Sequence, residues 1–293
     1  MNAPAPIGVD VVRSSSLNTW QDCRRRWAVY TMFDELVRLG YNLNRTATSV
    51  GAHVGTGAHA AVAHAWGTYA SIGEFPHPAD SLHAGLVEYS GRKEEDGVLF
   101  DDTTQNDMHA EIAIRKIFAA YQRMYQGAAF RPIAVEKRLY MRIGNGWVLS
   151  GQMDKLGRMA TMFNAETLVL NDLKTGVRQP FPTPQLGSYD LLTEANLQAP
   201  EIAQMTFIRR TRPNTDQPPP LVRAYDRRQI RQEARRYLHQ IPIAVTEFRE
   251  GGGSDPTVFD ANPSSFLCGP KYCAACHANS NFCTAGRTKA LAA

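Results

Sequence analysis

The chain has 293 residues, with 32 Lys+Arg against 28 Asp+Glu for a formal charge of +4, and it is 43% hydrophobic. This is an ordinary globular composition, which excludes disordered, collagen-like and disulfide-scaffold classes. A sequence pI of about 8.8 from so small an excess implies tolerance of a polyanion rather than a histone-like coat of charge.

The first ten residues, Met1 to Asp10, hold Pro and Ala but no basic region followed by an apolar run, so they do not read as a secretory signal, and a cytoplasmic location is expected. The stretch from Thr46 to Gly73 lacks Asp, Glu, Lys and Arg. It is nonetheless too rich in His, Gly and hydroxyl residues for a bilayer span, so no membrane segment is expected. Ser14-Ser15-Ser16 offers cap oxygens to a helix whose stripe runs Leu17, Trp20, Arg24, Trp27, Tyr30 toward Val37, with Cys23 inside it. An Ala-rich helix is expected over about Ser49 to Ala70, then a Pro/Gly/acidic loop from Gly73 to Asp107. A third helix follows, with Ile112, Ile117, Phe118 and Tyr121 as its inner face.

From Arg131 the period changes. Ile133, Val135, Leu139 and Met141 lead to Gly144-Asn145-Gly146, a hairpin signal, and Trp147 begins a return strand carrying Gly151, Met153 and Asp154. Thr167 to Leu173 reads as a buried strand, Pro182 and Pro184 open a helix through Leu192, and Ile202 to Arg209 and Leu221 to Tyr225 read as strands. Arg227 to Glu250 is a long basic helix ended by Gly251-Gly252-Gly253, which release a Cys-rich tail.

Asp172 and Lys174 are two apart on one strand and so share a face, and Asp154 lies on the preceding strand. Two carboxylates at strand ends repel unless a cation lies between them, and hard oxygen ligands suit Mg²⁺ or Mn²⁺. A nearby ammonium can hold the attacking water and offset charge on a phosphate. The order Gly151-x-x-Asp154, Asp172-x-Lys174-Thr175-Gly176 and Gln185-x-x-x-Tyr189 resembles the PD-(D/E)XK nuclease superfamily, in its RecB-type exonuclease branch. Gly55-Thr56-Gly57-Ala58-His59 is similar to that branch's helix motif, and Val135-Glu136 to its strand before the hairpin. The resemblance implies that His59, Asp154, Asp172 and the Leu173 carbonyl bind the divalent metal, with Lys174 the catalytic lysine. Gln185 and Tyr189, one helical turn apart, would touch the substrate strand.

Four of the five cysteines crowd into Cys268, Cys273, Cys276 and Cys283, a spacing open to a self-contained zinc knuckle. The resembled branch also includes members that hold a 4Fe–4S cluster with one cysteine from the first helix and three near the C-terminus. On that resemblance the ligands are Cys23, Cys273, Cys276 and Cys283, with Cys268 spare or exchanging with Cys23. Such a cluster would staple together ends some 250 residues apart.

Nine arginines between Ile208 and Tyr237, and Arg24-Arg25-Arg26 on the first helix, suit bidentate contact with phosphate. Trp20, Trp27, Tyr30 and Tyr189 are candidate stacking partners for single strands, although periodicity puts most of them in the core.

The expected architecture is therefore α/β: a small mixed β-sheet flanked by helices, with the N- and C-terminal segments joined by a cysteine-ligated cluster. Its expected segments are a helical region over 1–130, the nuclease core over 131–250 and the cluster segment over 251–293. The resemblance implies a metal-dependent deoxyribonuclease, an exonuclease on single strands or duplex ends, used in recombination, repair or CRISPR spacer acquisition. Homo-oligomers or a recombination or adaptation partner protein are compatible with it. The alternative is a non-catalytic DNA-binding or assembly subunit with a zinc-bound knuckle.

Overall fold

A computed structural model of the chain describes residues 9–125, 130–144, 146–160 and 166–292. The tail before residue 9 and Asn145, the middle of the expected hairpin turn, lie outside the described residues.

The chain opens with β1 (Asp10–Arg13), then α1 (Leu17–Asp22), α2 (Arg24–Thr31) and α3 (Phe33–Arg38). The expected continuous first helix is broken at Cys23, whose backbone is extended at φ −158° and ψ 109°. The thiol accepts from the Arg26 N–H and so caps α2, replacing the helical conformation with a cap at that residue. Ser16 makes no side-chain cap; its hydroxyl donates to the Arg13 carbonyl and accepts from the Trp27 indole.

After β2 (Thr48–Ser49) comes α4 (Val50–Ile72), capped by the Ser49 hydroxyl and closed by Gly73 at φ +78°. The expected loop from Gly73 to Asp107 instead contains α5 (Pro78–Asp96) and β3 (Val98–Leu99). Pro78 presets the first turn, the His77 ring accepts from the Ala79 N–H, and Gly97 at φ +67° ends the helix. Next is α6 (Asp107–Tyr125), whose buried face uses Ile114 where Ile112 was expected; Ile112 is half-buried.

The remaining elements are β4 (Phe130–Gly144), β5 (Trp147–Ala160), β6 (Glu166–Gly176), α7 (Thr183–Asn196), β7 (Ile202–Arg209), β8 (Leu221–Tyr225), α8 (Arg227–Glu250) and α9 (Thr284–Ala292). Among the described residues the main sheet is mixed, in the order β1-β5-β6-β7-β8 with β4 on the other edge of β5. Helices cover both faces. Leu168 and Leu170 of β6 pack with Trp20, Trp27, Leu186 and Ile241 on one side, while Val169 and Leu173 pack with Val54, Ile114 and Phe118 on the other. That alternation is the pleat of a strand buried on both faces.

One topological detail positions the site. The first residues of β5, Trp147 to Ser150, pair with β1, whereas Lys155 to Ala160 pair with β6. Between them lies a stretch, Gly151 to Asp154, that pairs with neither on that edge among the described residues. Helix α7 presses there: a Cβ at Gly151 would meet Leu192 at 2.7 Å and Tyr189 at 2.9 Å.

Candidate metal centre

The side chains of the parted strands converge where β5 leaves β6. Asp154 reaches into the gap and accepts from the Leu173 backbone N–H at 2.5 Å, so a side chain takes the place of a ladder bond. On β6, Asp172 Oδ1 accepts from Lys174 Nζ at 2.9 Å, which joins the two residues that the strand period puts on one face. From α4, His59 Nδ1 stands 3.5 Å from Asp154 and 3.9 Å from Glu136. One ligand atom from each of His59, Glu136 and Asp154 falls within 4.8 Å of the others. Asp172 is 1% exposed, and its Oδ2 is buried with no hydrogen-bond partner.

Glu136 is the ligand-grade residue that sequence reasoning left out of the site. Val135 pairs with Lys155 and Lys137 with Met153, which brings Glu136 opposite Asp154. The two acids are the same number of residues from Asn145 on either side, a relation present in the sequence once the hairpin is taken seriously. Glu136 also has φ +46°, a left-handed conformation uncommon for a residue with a side chain and one that clusters at functional sites.

The groups perturb one another strongly. Burial raises Glu136 to about 7, the Asp154 charge adding to it, and burial raises Asp172 to about 6 against the pull of Lys174. At His59 burial opposes the charged form, but Asp154 and then Glu136 outweigh it and push the imidazole up to about 9. Burial works against the Asp154 carboxylate as well, and there the His59 charge prevails and lowers it. Lys174 is raised because Asp172 and Asp154 overcome its burial. His59, Glu136 and Asp154 together are a donor set that could hold a hard divalent cation, which would relieve the repulsion that lifts Glu136; Asp172 stands beside this compact group and not within it.

Gln185 and Tyr189 form one wall: Gln185 Nε2 donates to the Tyr189 hydroxyl at 2.9 Å, and Asn18 donates to Gln185 Oε1 at 3.0 Å. Burial and the charges of Asp172 and Asp154 raise the Tyr189 phenol well above its ordinary range, so the wall faces the acids. Behind the site, Lys155 is 2% exposed. Its Nζ lies 3.7 Å from the Tyr125 ring centroid, 4.1 Å from Trp66 and 4.3 Å from Phe130, and it donates to Tyr121 at 3.0 Å. Burial drives this amine well below the ordinary lysine range, and the ring faces give its charge partial compensation.

All five cysteines line a second cavity, together with Arg25, Arg26 and Asn262. The Cys23 sulfur accepts from the Arg26 and Asn262 N–H groups at 3.4 Å each, and the Cys283 sulfur from Gly286 at 3.3 Å. Cys268 and Cys276 stand 3.9 Å apart. Around tetrahedral zinc every sulfur pair would be about 3.8 Å apart, from a Zn–S bond of about 2.3 Å. Among the described residues no three of these sulfurs gather so closely, the one compact group of three ligand atoms being His59, Glu136 and Asp154.

The arginines divide. Arg210 is pinned by Asp101, and Arg227 and Arg231 by the buried Asp190; Arg209, Arg212, Arg223, Arg228, Arg235 and Arg236 are exposed. Of the candidate stacking residues, Trp20, Trp27 and Tyr189 are core and Tyr30 is exposed. Among the described residues no helix is long and apolar enough to cross a membrane.

The family model described as PD-(D/E)XK nuclease superfamily matches residues 14–280. Among curated proteins nothing matches. A solved structure titled "Crystal structure of SSO0001" is similar over 79% of this chain and 76% of that one, with 11% sequence identity and a TM-score of 0.32.

Proposed function

The chain belongs to the PD-(D/E)XK nuclease superfamily, and from that membership we propose that it is a Mg²⁺- or Mn²⁺-dependent deoxyribonuclease. We place it as an exonuclease on single strands or duplex ends, serving recombination, repair or CRISPR spacer acquisition. The observation that carries the reading is the convergence of His59, Glu136 and Asp154 within 4.8 Å beside the Asp172–Lys174 pair.

In this reading His59, Glu136, Asp154 and Asp172 hold the cation, with the Leu173 carbonyl as a further ligand. When bound, the ion supplies Lewis-acid polarisation of a phosphoryl oxygen and a more acidic water. Asp172 orients the Lys174 ammonium, and Lys174 donates to the attacking water and offsets negative charge gathering at phosphorus. Gln185 and Tyr189, both buried, back the acids as a hydrogen-bonded wall in place of the strand contact expected of them, and the exposed arginines of β7, β8 and α8 grip the phosphates. End-labelled single- and double-stranded DNA incubated with Mn²⁺, with and without EDTA, tests this. Wild type should degrade DNA only without chelator, and Lys174→Ala should not. A ladder shortening from one labelled end identifies exonuclease action; internal fragments remove that part of the reading.

For the cysteine cavity the reading is a 4Fe–4S cluster on Cys23, Cys273, Cys276 and Cys283. It is supported by the gathering of the cysteines around one cavity and by the N–H donors at Cys23 and Cys283. Anaerobically purified protein should contain iron and sulfide. Cys23→Ser should lose them and Cys268→Ser should keep them; zinc without iron overturns the assignment.

A further inference from the structure

Arg25 and Arg26 are the cations of the cysteine cavity, and both are buried, at 8% and 6% exposure. A guanidinium in a protein interior needs acceptors for its donors and an offset for its charge, because an uncompensated buried cation is costly. Arg25 has its partners: Nε donates to the Phe259 carbonyl at 2.7 Å, Nη1 to the Phe282 carbonyl at 2.5 Å, and the guanidinium lies 5.3 Å from the centre of the Phe282 ring. Arg26 is half satisfied. Its Nη2 pairs with Asp22 at 3.0 Å, while Nη1 is buried without any hydrogen-bond partner. Arginine has five fixed donors and no acceptor, so an orphaned Nη1 in a thiol-lined cavity is an open request for an anion.

Resting on the cluster assignment above, we propose that Arg26 is a positioning residue for the cysteine-bound cluster: Nη1 donates to one of its sulfurs, and the guanidinium holds the cluster's electron affinity up. Both cations line the cavity with the thiols; Arg25 spends its Nε and Nη1 on carbonyls, whereas Arg26 Nη1 is left there as an unengaged donor. A cubane on four thiolates is a net anion, and the one-electron reduction that adds an electron makes it more so, with no bond broken and no proton required. A neighbouring positive charge therefore favours the reduced form, and hydrogen bonds to sulfur act in the same direction. Arg24, the third arginine of the run, is about one-third exposed, pairs with Asp260 and does not line the cavity, so it has no such role.

The test is a dithionite titration followed by electron paramagnetic resonance on wild type, Arg26→Gln, Arg26→Lys and Arg24→Gln, with iron per chain measured for each. The midpoint should move to more negative potential in Arg26→Gln, move less in Arg26→Lys, which keeps the charge, and stay in place in Arg24→Gln. Chelator bleaching of the oxidised cluster should be several-fold faster in Arg26→Gln. Should Arg26→Gln fail to fold, wild type with nitrogen-labelled arginine still decides the matter. Hyperfine coupling from guanidinium nitrogen to the reduced cluster is expected, and its loss in Arg26→Lys assigns it to Arg26. Iron-loaded variants with the wild-type midpoint, or no such coupling, overturn the role of Arg26 alone. A wild-type protein without iron overturns the cluster assignment and this role with it.

Discussion

The Leu173 amide and the Asp154 carboxylate meet at 2.5 Å, across the opening where β5 and β6 part. The carboxylate thus serves the backbone with Oδ2 and turns Oδ1 toward His59, at 3.5 Å. Asp154→Asn keeps an acceptor for Leu173 but removes the charge. DNA hydrolysis should fall by more than about 100-fold, since even partners beyond the ligands cost about 10- to 100-fold. Circular dichroism should show the fold retained. Retention of activity would remove Asp154 from the chemistry.

Removing metal should give the protein an unusual pH profile. Glu136 and Asp172, raised to about 7 and about 6, are acids whose folded values lie above their unfolded ones. They cost nothing while protonated in both states and destabilise the fold as they ionise. His59, raised to about 9, contributes stability that is complete below its unfolded value and is lost as pH rises through the folded one. Asp154 is lowered and acts oppositely, but only in acid. Lys155, driven well below the ordinary lysine range, gains stability as pH rises and does so in variants of the site as well. The contribution of Glu136 is therefore read as a difference: in EDTA the melting temperature of wild type relative to Glu136→Gln should fall between about pH 5 and about pH 7. Saturating Mn²⁺ should largely abolish that relative fall, and scanning fluorimetry that showed wild type gaining on Glu136→Gln through this window without metal would contradict the geometry.

Gly57 of α4 and Gly85 of α5 bring two helix backbones together. A Cβ at Gly57 would meet the Gly85 carbonyl at 2.8 Å, and one at Gly85 would meet Ala61 Cβ at 2.9 Å. Gly85→Ala should cost about 1–3 kcal/mol by overpacking. Because His59 lies on the displaced helix, kcat should drop as well, while Gly91→Ala, with open space around it, should do neither. Chemical denaturation and the DNA digest measure both.

Asp101 grips Arg210 through both oxygens, at 3.0 Å and 2.5 Å, and the Arg210 side chain is 4% exposed. Asp101→Ala should destabilise by about 3 kcal/mol, because it leaves a buried guanidinium unpaired. Burial opposes the Asp101 charge, but Arg210 and the Thr103 and Thr104 N–H groups lower its pKa. Its contribution is present above the unfolded value of about 3.9 and is lost as pH falls through the lower folded one. Arg210→Met, which removes both the cation and its demand, should cost less than Asp101→Ala; the reverse order would show that the pair is not the source of the effect.

Periodicity and breakers carried the core strands: Ile202 to Arg209, Leu221 to Tyr225 and the helix Arg227 to Glu250 have the bounds their residues imply. The local signals failed where a side chain replaced backbone regularity. Cys23 lies on the helical stripe, yet its sulfur accepts an N–H and breaks the helix, a choice invisible to hydrophobic spacing. The helix over Pro78–Asp96 was hidden by Gly91 and acidic residues on its outer face, while its few inward positions (Ser81, Gly85, Tyr89) are small or polar enough to blur the apolar period. Glu136 was legible only through register, because its partner is a strand away and its left-handed backbone has no sequence marker. The arginine run read as one patch, but Asp101 and Asp190, distant in sequence, withdraw three of its members.

Phe259 and Phe282 are buried among Trp20, Trp27, Tyr41 and Phe248, and their carbonyls are claimed by Arg25 near the other end of the chain. Synthesis proceeds from the amino end, so α1 and α2 emerge early with their indoles uncovered and wait for almost the entire chain before their lid is made. A ribosome stalled before Phe282 would hold a nascent chain with its acidic site translated but its aromatic floor open, a form that chaperones and proteases would recognise.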